Sequence, residues 1–433
     1  MIYWLLGLEL IDGPVLPGCG ILTTILAVVV AAVRPRHPLR LTLAALGGAA
    51  FAVLFVAIVD ALNSFGVQIP PMATVWAAIG LGLACLGIAA LWSGPWWRRV
   101  LAVVLVLSSL ALGAIGVNRA FSITHTLAAI VGVQAVGPIV LPAKTAVDTI
   151  SAPLSTTWTA PAGMPATGTV GALTGADRIP SPGFAARDAS IYLPPAALVA
   201  DPPPLPLLVF MMGQPGTPEP NAIAKALDAF AAQHAGLAPI AIIADQLTDP
   251  TIDPACHDSA AYGAVSSYFN VSIPAFARAN LNIADDPAHW VIGGYSNGGS
   301  CALLWGSQHP EIWGNVLDVS GNEFPGSETI DKTIATTFAG DRAAFEAAKP
   351  AAVMAAAPAG AYAGHTAVFT AGSDDTQFGP GQQSNADAAR AAGFTVIFET
   401  VPGATHVGPA LDGGLALAIG ALGPVLGLSD ASP

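Results

Sequence analysis

Hydrophobic positions fall along this chain in two unlike patterns. From Leu16 to Val117 they form long runs separated by short polar or proline-rich breaks, with almost no charge inside the runs. A bilayer core takes about 20 apolar residues to cross as a helix. The runs therefore predict four membrane-spanning helices, Leu16–Val33, Leu41–Leu62, Val75–Trp92 and Val100–Val117. From about Gly168 onward short β-rich runs alternate with helical ones, which predicts a doubly wound, mostly parallel sheet covered on both faces. The expected strands are Ala189–Leu193, Leu205–Met212, Ala238–Ala244, Trp290–Gly293, Val316–Val319, Thr366–Ala371 and Thr395–Val401. The expected helices are Asn221–His234, Asn297–His309 and an Ala/Leu/Gly-rich one at Leu411–Leu426.

This pattern divides the chain into a transmembrane helical domain (1–120), a juxtamembrane helix and linker (121–167) and an α/β domain (168–433). Phe121–Val140, carrying His125 and Gln134, reads as a helix lying on the membrane or on the next domain, with a fifth span as the alternative. No basic segment precedes the first span and apolar runs continue behind it, so it is not expected to be a cleaved signal peptide. Arg34, Arg36 and Arg40 follow the first span and Arg98 and Arg99 the third, whereas residues 63–71 hold no Lys or Arg. Basic loops stay in the cytoplasm, which puts the α/β domain on the outer face. Trp96 and Trp97 then read as interfacial anchors. Asp60, the one acid in these runs, reads as snorkelling to the nearby interface, a functional intramembrane carboxylate being the alternative. Glu9 and Asp12 belong to the outer surface.

Composition sharpens this picture in two places. The chain of 433 residues is 53% hydrophobic and only 10% charged, which requires a membrane-embedded part. Its net charge of −13 argues against nucleic acid and against adsorption of the globular part to anionic lipid. Four cysteines are too few for a disulfide scaffold and lack the paired spacings of a zinc site, so no metal is expected.

The chemistry is concentrated in one stretch. Trp290-Val291-Ile292-Gly293 runs into Gly294-Tyr295-Ser296-Asn297-Gly298 and then into a helix, the wiring of a nucleophile elbow. Ser296 is the candidate nucleophile, and the Asn297 N–H at the helix start is a natural oxyanion donor. A serine needs a base and an acid to orient that base, following it in that order here. His406, in the loop after the last strand, is the candidate base; His309 and His365 have structural positions. The acid falls in Gly372-Ser373-Asp374-Asp375, with Asp375 preferred on its spacing, Asp374 the alternative and Asp318 a third choice. The second oxyanion donor belongs to Met212-Gly213-Gln214-Pro215-Gly216, with the Gln214 amide preferred over Met212 or Gly213. Cys301 lies five positions after Ser296, and Cys256 follows the strand Ala238–Ala244. A disulfide between them, worth about 2–4 kcal/mol, is the expectation outside the cytoplasm, a reactive thiol the alternative. Cys19 and Cys85 are small membrane residues. Residues 321–364 interrupt the core pattern with a helical run at Asp341–Met354 broken by Pro350, an insertion placed to cover the site and set specificity.

The order Gln214-Pro215-Gly216, Cys256-His257-Asp258-Ser259, Gly294-Tyr295-Ser296-Asn297-Gly298, Gly372-Ser373-Asp374-Asp375 and His406 resembles the Putative esterase branch of the α/β-hydrolases. That branch holds esterase D-like enzymes and mycolyltransferases, and the four spans resemble membrane-anchored actinobacterial envelope proteins. The resemblance covers the chain from about Gly168 and implies Ser296 as nucleophile, Asp375 as acid and His406 as base. Met212-Gly213 stands where the family commonly has His-Gly, so the choice among the oxyanion donors stays open. The expected activity is that of a cofactor-independent, membrane-anchored serine esterase outside the cytoplasm, acting on an ester or glycolipid. Two alternatives share the sequence: acyl transfer between envelope glycolipids, and an inactive domain serving binding or assembly with a partner not identified by sequence. Reporter fusions after Arg34 and after Val117 test the topology: a cytoplasmic reporter is expected to be active only in the first, and equal activity in both removes this orientation.

Overall fold

The computed structural model describes residues 7–11, 13–33, 38–62, 64, 67–92, 94–121, 126–127, 136–145 and 149–430. Asp12, Arg34, Arg36, His125 and Gln134, with most of Phe121–Val140, lie outside the described residues. The chain separates into two compact units, Met1–Ala135 and Val136–Pro433.

The first unit contains helices α1 (Val15–Ala32), α2 (Pro38–Ala61), α3 (Pro71–Ala90) and α4 (Trp96–Phe121). Their mean hydropathies of 2.3, 2.4, 2.0 and 2.6 and their lengths suffice to cross a membrane. A helix satisfies its own backbone polar groups, so it is the form such runs adopt in lipid. Small residues let these helices approach closely. A Cβ placed on Gly80 of α3 would stand only 2.8 Å from the Gly113 Cα of α4.

Arg98 departs from its expected place in a loop. It belongs to the first turn of α4 and is fully buried. Its Nε and Nη2 donate to the Val30 carbonyl at 3.1 and 2.7 Å, and Nη1 donates to the Ala90 carbonyl at 3.3 Å. Those carbonyls end α1 and α3, where intrahelical partners run out and a cation is favoured. The charge thus joins three helix ends. Asp60 is exposed and accepts the Ile69 N–H at 3.0 Å, bridging the turn from α2 to α3. Trp96, two positions before the buried Arg98, is 76% exposed.

In the second unit eight strands form one sheet in the order β1-β2-β4-β3-β5-β6-β7-β8. They are β1 (Thr169–Ala172), β2 (Ser190–Leu193), β3 (Leu207–Met211), β4 (Ile240–Ile243), β5 (Trp290–Tyr295), β6 (Asn315–Val319), β7 (Thr366–Gly372) and β8 (Thr395–Val401). β2 pairs antiparallel with β1 and β4, and every pairing from β4 through β3 to β8 is parallel. This is the α/β-hydrolase arrangement. Parallel strands need crossovers, supplied by α5 (Asn221–Ala231), α6 (Ile273–Asn280), α7 (Asn297–Gln308), α8 (Ile330–Thr336), α9 (Arg342–Ala347), α10 (Pro350–Ala356) and α11 (Gly379–Ala392), and α12 (Pro409–Val425) follows the last strand. Every residue of β3, β4, β6 and β7 is buried, which explains the uninterrupted apolar runs of β3 and β4, while β6 buries Asn315 and Asp318 and β7 buries Thr366 and Thr370 among its apolar residues.

Two features depart from the sequence pattern. β1 carries only four residues, one of them Gly171, and sits at the sheet edge, so it leaves no periodic signal. α6 and α11 were hidden by mixed polarity, α11 reading Gly379-Pro380-Gly381-Gln382-Gln383 at its start. The helical run Asp341–Met354 is interrupted before Pro350 as expected, with α9 ending at Ala347 and Pro350 opening α10, where its missing N–H costs nothing.

The stretch before β1 is fastened to this unit: Trp158 Nε1 donates to the Ala235 carbonyl at 3.0 Å, and the Ser155 N–H to the Gly427 carbonyl at 2.9 Å. Three tryptophans fill the core, each with its indole N–H satisfied: Trp290 on Ala284, Trp313 on Asn270 and Trp305 on Cys256. Cys256 and Cys301 form a disulfide across 45 positions, fixing the loop after β4 to α7. Closing a loop of this size in the unfolded chain stabilises the fold by about 2–4 kcal/mol. A Cys256→Ala/Cys301→Ala protein is expected to unfold at a correspondingly lower denaturant midpoint, measured by tryptophan fluorescence; an unchanged midpoint removes that contribution.

Candidate active site

The site is assembled at the C-terminal ends of β5, β7 and β8. Ser296 joins β5 to α7 with φ 54° and ψ −118°, a strained left-handed backbone for a residue with a Cβ. The turn holds because its neighbours have no side chains: a Cβ on Gly294 would overlap the Gly298 carbonyl, and one on Gly298 would meet Met211 of β3. The Ser296 N–H is fixed on the Val319 carbonyl at 2.9 Å, which leaves its half-buried side chain pointing away from the sheet end.

His406 Nε2 lies 2.9 Å from Ser296 Oγ, and His406 Nδ1 lies 3.1 Å from Asp375 Oδ2. His406 and Asp375 are 3% and 6% exposed, so the second contact is shielded from water. Burial pushes the Asp375 carboxyl up, but the hydrogen bond with His406, the Phe378 N–H, the charge of His406 and the Gln377 N–H together hold it below the usual carboxylate range. The two N–H groups donate to its Oδ1 at 2.9 and 3.1 Å. An ionised carboxylate only accepts, so Nδ1 carries the imidazole proton and Nε2 is free to accept from Ser296.

Asp374, the alternative acid, stands apart: its carboxylate accepts from the neighbouring Ser373 hydroxyl at 2.9 Å on the exposed side of the loop. Asp318 is also elsewhere. It is wholly buried behind α7, against Gly299 and Gly321, with Oδ2 accepting from Gln382 Nε2 at 3.0 Å. Burial raises its carboxyl to about 7, against the lowering pull of the Gln382 and Gly321 hydrogen bonds.

Tyr295 and Gln246, and with them Phe378, shape the site although the sequence motifs assign them no role. Tyr295 donates its hydroxyl to the His406 carbonyl at 2.9 Å, and its ring lies near-parallel to the imidazole at 5.9 Å. Burial pushes the Tyr295 phenol up, which keeps that donor proton. Phe378 covers the imidazole at 4.0 Å. Gln246, buried after β4, donates to the Met212 carbonyl at 2.6 Å and to Asn297 Oδ1 at 3.1 Å. Neither carries a motif; Tyr295 occupies a variable place in the elbow and Gln246 a loop.

The Asn297 N–H opens α7 directly beside Ser296, and Gly213, one residue before Gln214, packs on Ser296. A Cβ there would come within 3.1 Å of Ser296 Cβ. The Gln214–Pro215 peptide is cis. In the insertion, Phe324, Phe338 and Phe345 cluster under Lys349, whose Nζ lies 4.2 Å from the Phe324 ring. Phe338 packs on His257 of the disulfide-bonded loop at 4.9 Å. Among the described residues no group of three or more His, Cys, Asp or Glu side chains converges as a metal site.

A sequence-family model described as Putative esterase matches residues 186–407, a range that contains Ser296, Asp375 and His406. The chain belongs to the Putative esterase family. An uncharacterized protein of Corynebacterium glutamicum is 34% identical to this chain over 229 residues, covering 51% of this chain and 53% of the relative. The chain thus spans about half the length of that relative. Solved structures with a similar fold include fluorophosphonate-binding serine hydrolase F of Staphylococcus aureus, at 15% identity over 61% of this chain and 100% of that one, TM-score 0.48. A ferulic acid esterase matches at 15% identity over 55% and 92%, TM-score 0.47. An S-formylglutathione hydrolase from Agrobacterium tumefaciens matches at 16% over 55% and 90%, TM-score 0.45.

The buried Asp318 gives stability a pH signature. Its folded value near 7 lies above the ordinary value of 3.8, so the folded state holds the proton longer, and stability falls as pH rises through that window. Asp318→Asn is expected to flatten the decline between about pH 4 and 7 by an amount on the order of a few kcal/mol. Thermal unfolding across pH reads this out; parallel profiles for the two proteins exclude it.

Proposed function

We propose that this protein is a membrane-anchored serine esterase whose nucleophile, base and acid are Ser296, His406 and Asp375. The observation that carries the reading is the continuous hydrogen-bonded line from Ser296 Oγ through both imidazole nitrogens to Asp375. Ser296 attacks the ester carbonyl while His406 Nε2 takes its proton, and Asp375 stabilises the resulting imidazolium and fixes its orientation. The Asn297 and Gln214 backbone N–H groups receive the charge that develops on the carbonyl oxygen. As the tetrahedral intermediate collapses, His406 returns the proton to the departing alcohol. Water, deprotonated by the same nitrogen, then releases the acid from the acyl-enzyme. No cofactor enters these steps.

Anchoring is supported by α1 to α4, each apolar and long enough to span. An outward α/β unit is supported by the basic bias at Arg34, Arg36, Arg40 and Arg99 and by the Cys256–Cys301 disulfide, which suits an oxidising compartment. Arg98, committed to helix carbonyls, adds no weight to that bias.

In detergent, a fluorophosphonate probe is expected to label the wild type and to lose labelling in Ser296→Ala and His406→Ala. With p-nitrophenyl butyrate, Asp375→Asn is expected to lower kcat by about 10³–10⁴-fold and Asp374→Asn by less than about twofold. Absence of labelling in the folded wild type, or equal losses at the two aspartates, contradicts the assignment.

A further inference from the structure

The loop that follows β3 is held at both ends by two consecutive residues of the loop that follows β4. Gln246 is 3% exposed, and its side-chain nitrogen donates to the Met212 carbonyl at 2.6 Å and to Asn297 Oδ1 at 3.1 Å. Asp245, 1% exposed, binds Arg187 through both carboxylate oxygens at 3.0 and 2.6 Å, and Arg187 Nη2 donates to the Gly216 carbonyl at 2.9 Å. Residues 212 and 216 bracket Gly213 and Gln214, the segment laid against Ser296.

We infer that Gln246 is a positioning residue for the oxyanion site, locking the loop after β3 to the start of the nucleophile helix through one amide group. The inference rests on the reading of Ser296 as nucleophile. The geometry favours it because the two proposed donors come from separate chain segments, the Gln214 N–H from the loop and the Asn297 N–H from α7. Their spacing must match one oxygen, and a donor displaced by a few tenths of an ångström loses much of its effect on a developing charge. Gln246 touches both segments, two residues before Gln214 and at Asn297 itself. Its two hydrogens fit two acceptors, so neither a carboxylate nor an apolar side chain of the same size replaces it. Arg187 and Asp245 set the far end of the loop, at Gly216, and have no contact with α7 among their hydrogen bonds.

The test compares the full-length wild type with Gln246→Met, which keeps the volume, and Gln246→Glu, which keeps the shape. Each is measured with p-nitrophenyl butyrate and with an alkyl trifluoromethyl ketone, to whose carbonyl carbon Ser296 Oγ adds, giving a hemiketal that carries the oxyanion. Ser296→Ala serves as the control for the underlying reaction. Rates are normalised to the folded, monodisperse fraction. The expected result is a fall in kcat of about tenfold to a hundredfold with KM within about twofold, and a rise in the ketone's Ki by the same factor as the fall in kcat/KM. A kcat within about twofold of wild type in either variant overturns the inference while leaving Ser296 in place. So does a loss confined to KM, or a ketone Ki that does not move with kcat. A wild type with no Ser296-dependent turnover overturns the nucleophile reading, and this inference with it.

Discussion

The backbone of Ser296 is the constraint on which the site depends. A residue with a side chain is driven into the left-handed region at the end of β5, and the strain persists because the surroundings leave it no alternative. Met211 of β3 closes on Gly298 from one side, and the Val319 carbonyl of β6 takes the Ser296 N–H from the other. The sheet itself therefore aims the side chain. His406 and Asp375 arrive on the loops after β8 and β7, two strands whose pairing runs in register from Thr366↔Thr395 to Gly372↔Val401. That ladder sets the spacing of the loops carrying His406 and Asp375 as firmly as β5 sets Ser296.

Around this frame the polar groups are satisfied locally and in layers. Asp375 takes two backbone N–H groups besides the imidazole, and the Tyr295 hydroxyl secures the backbone of His406. Buried polar groups of this kind stabilise only when each has its partner, and in return they permit one arrangement. Asp318 is the contrast. It has one oxygen satisfied by Gln382 and the other pressed against glycine backbone, so it favours the protonated form at a depth where a charge has no counterion among its hydrogen-bond partners.

Much of this was legible from residue order. The two glycines around Ser296 announce the elbow because a turn that tight excludes side chains, and Asp375 could be preferred over Asp374 because loop spacing after β7 separates an inward from an outward carboxylate. The four helices long and apolar enough to cross a membrane were legible because each is an unbroken apolar run of sufficient length. The illegible parts lack any such constraint. β1 is too short and too glycine-rich for a period, and Gln246 sits in a loop whose partners are set by a crossover 34 residues away in the chain. Arg98 reads as a topological signal by type, and only the packing of α1 and α3 ends shows that its charge is used internally. Site residues chosen by local geometry are visible in sequence; those chosen by tertiary contact are not.

The double attachment of residues 212–216 to Asp245 and Gln246 has a consequence for how this protein can diversify. A loop pinned at both ends tolerates changes of side chain but not of length, since one added residue would detach either Met212 or Gly216 from its anchor. The insertion at 321–364 is bound by no such rule: it leaves β6 and returns to β7 without altering the ladder between them, which runs Asn315↔Thr366 to Val319↔Thr370. Phe324, Phe338 and Phe345 pack on one another within it, while Met354 and Tyr362 join the core of the α/β unit. A change of length is therefore taken up more easily within residues 321–364 than within residues 212–216.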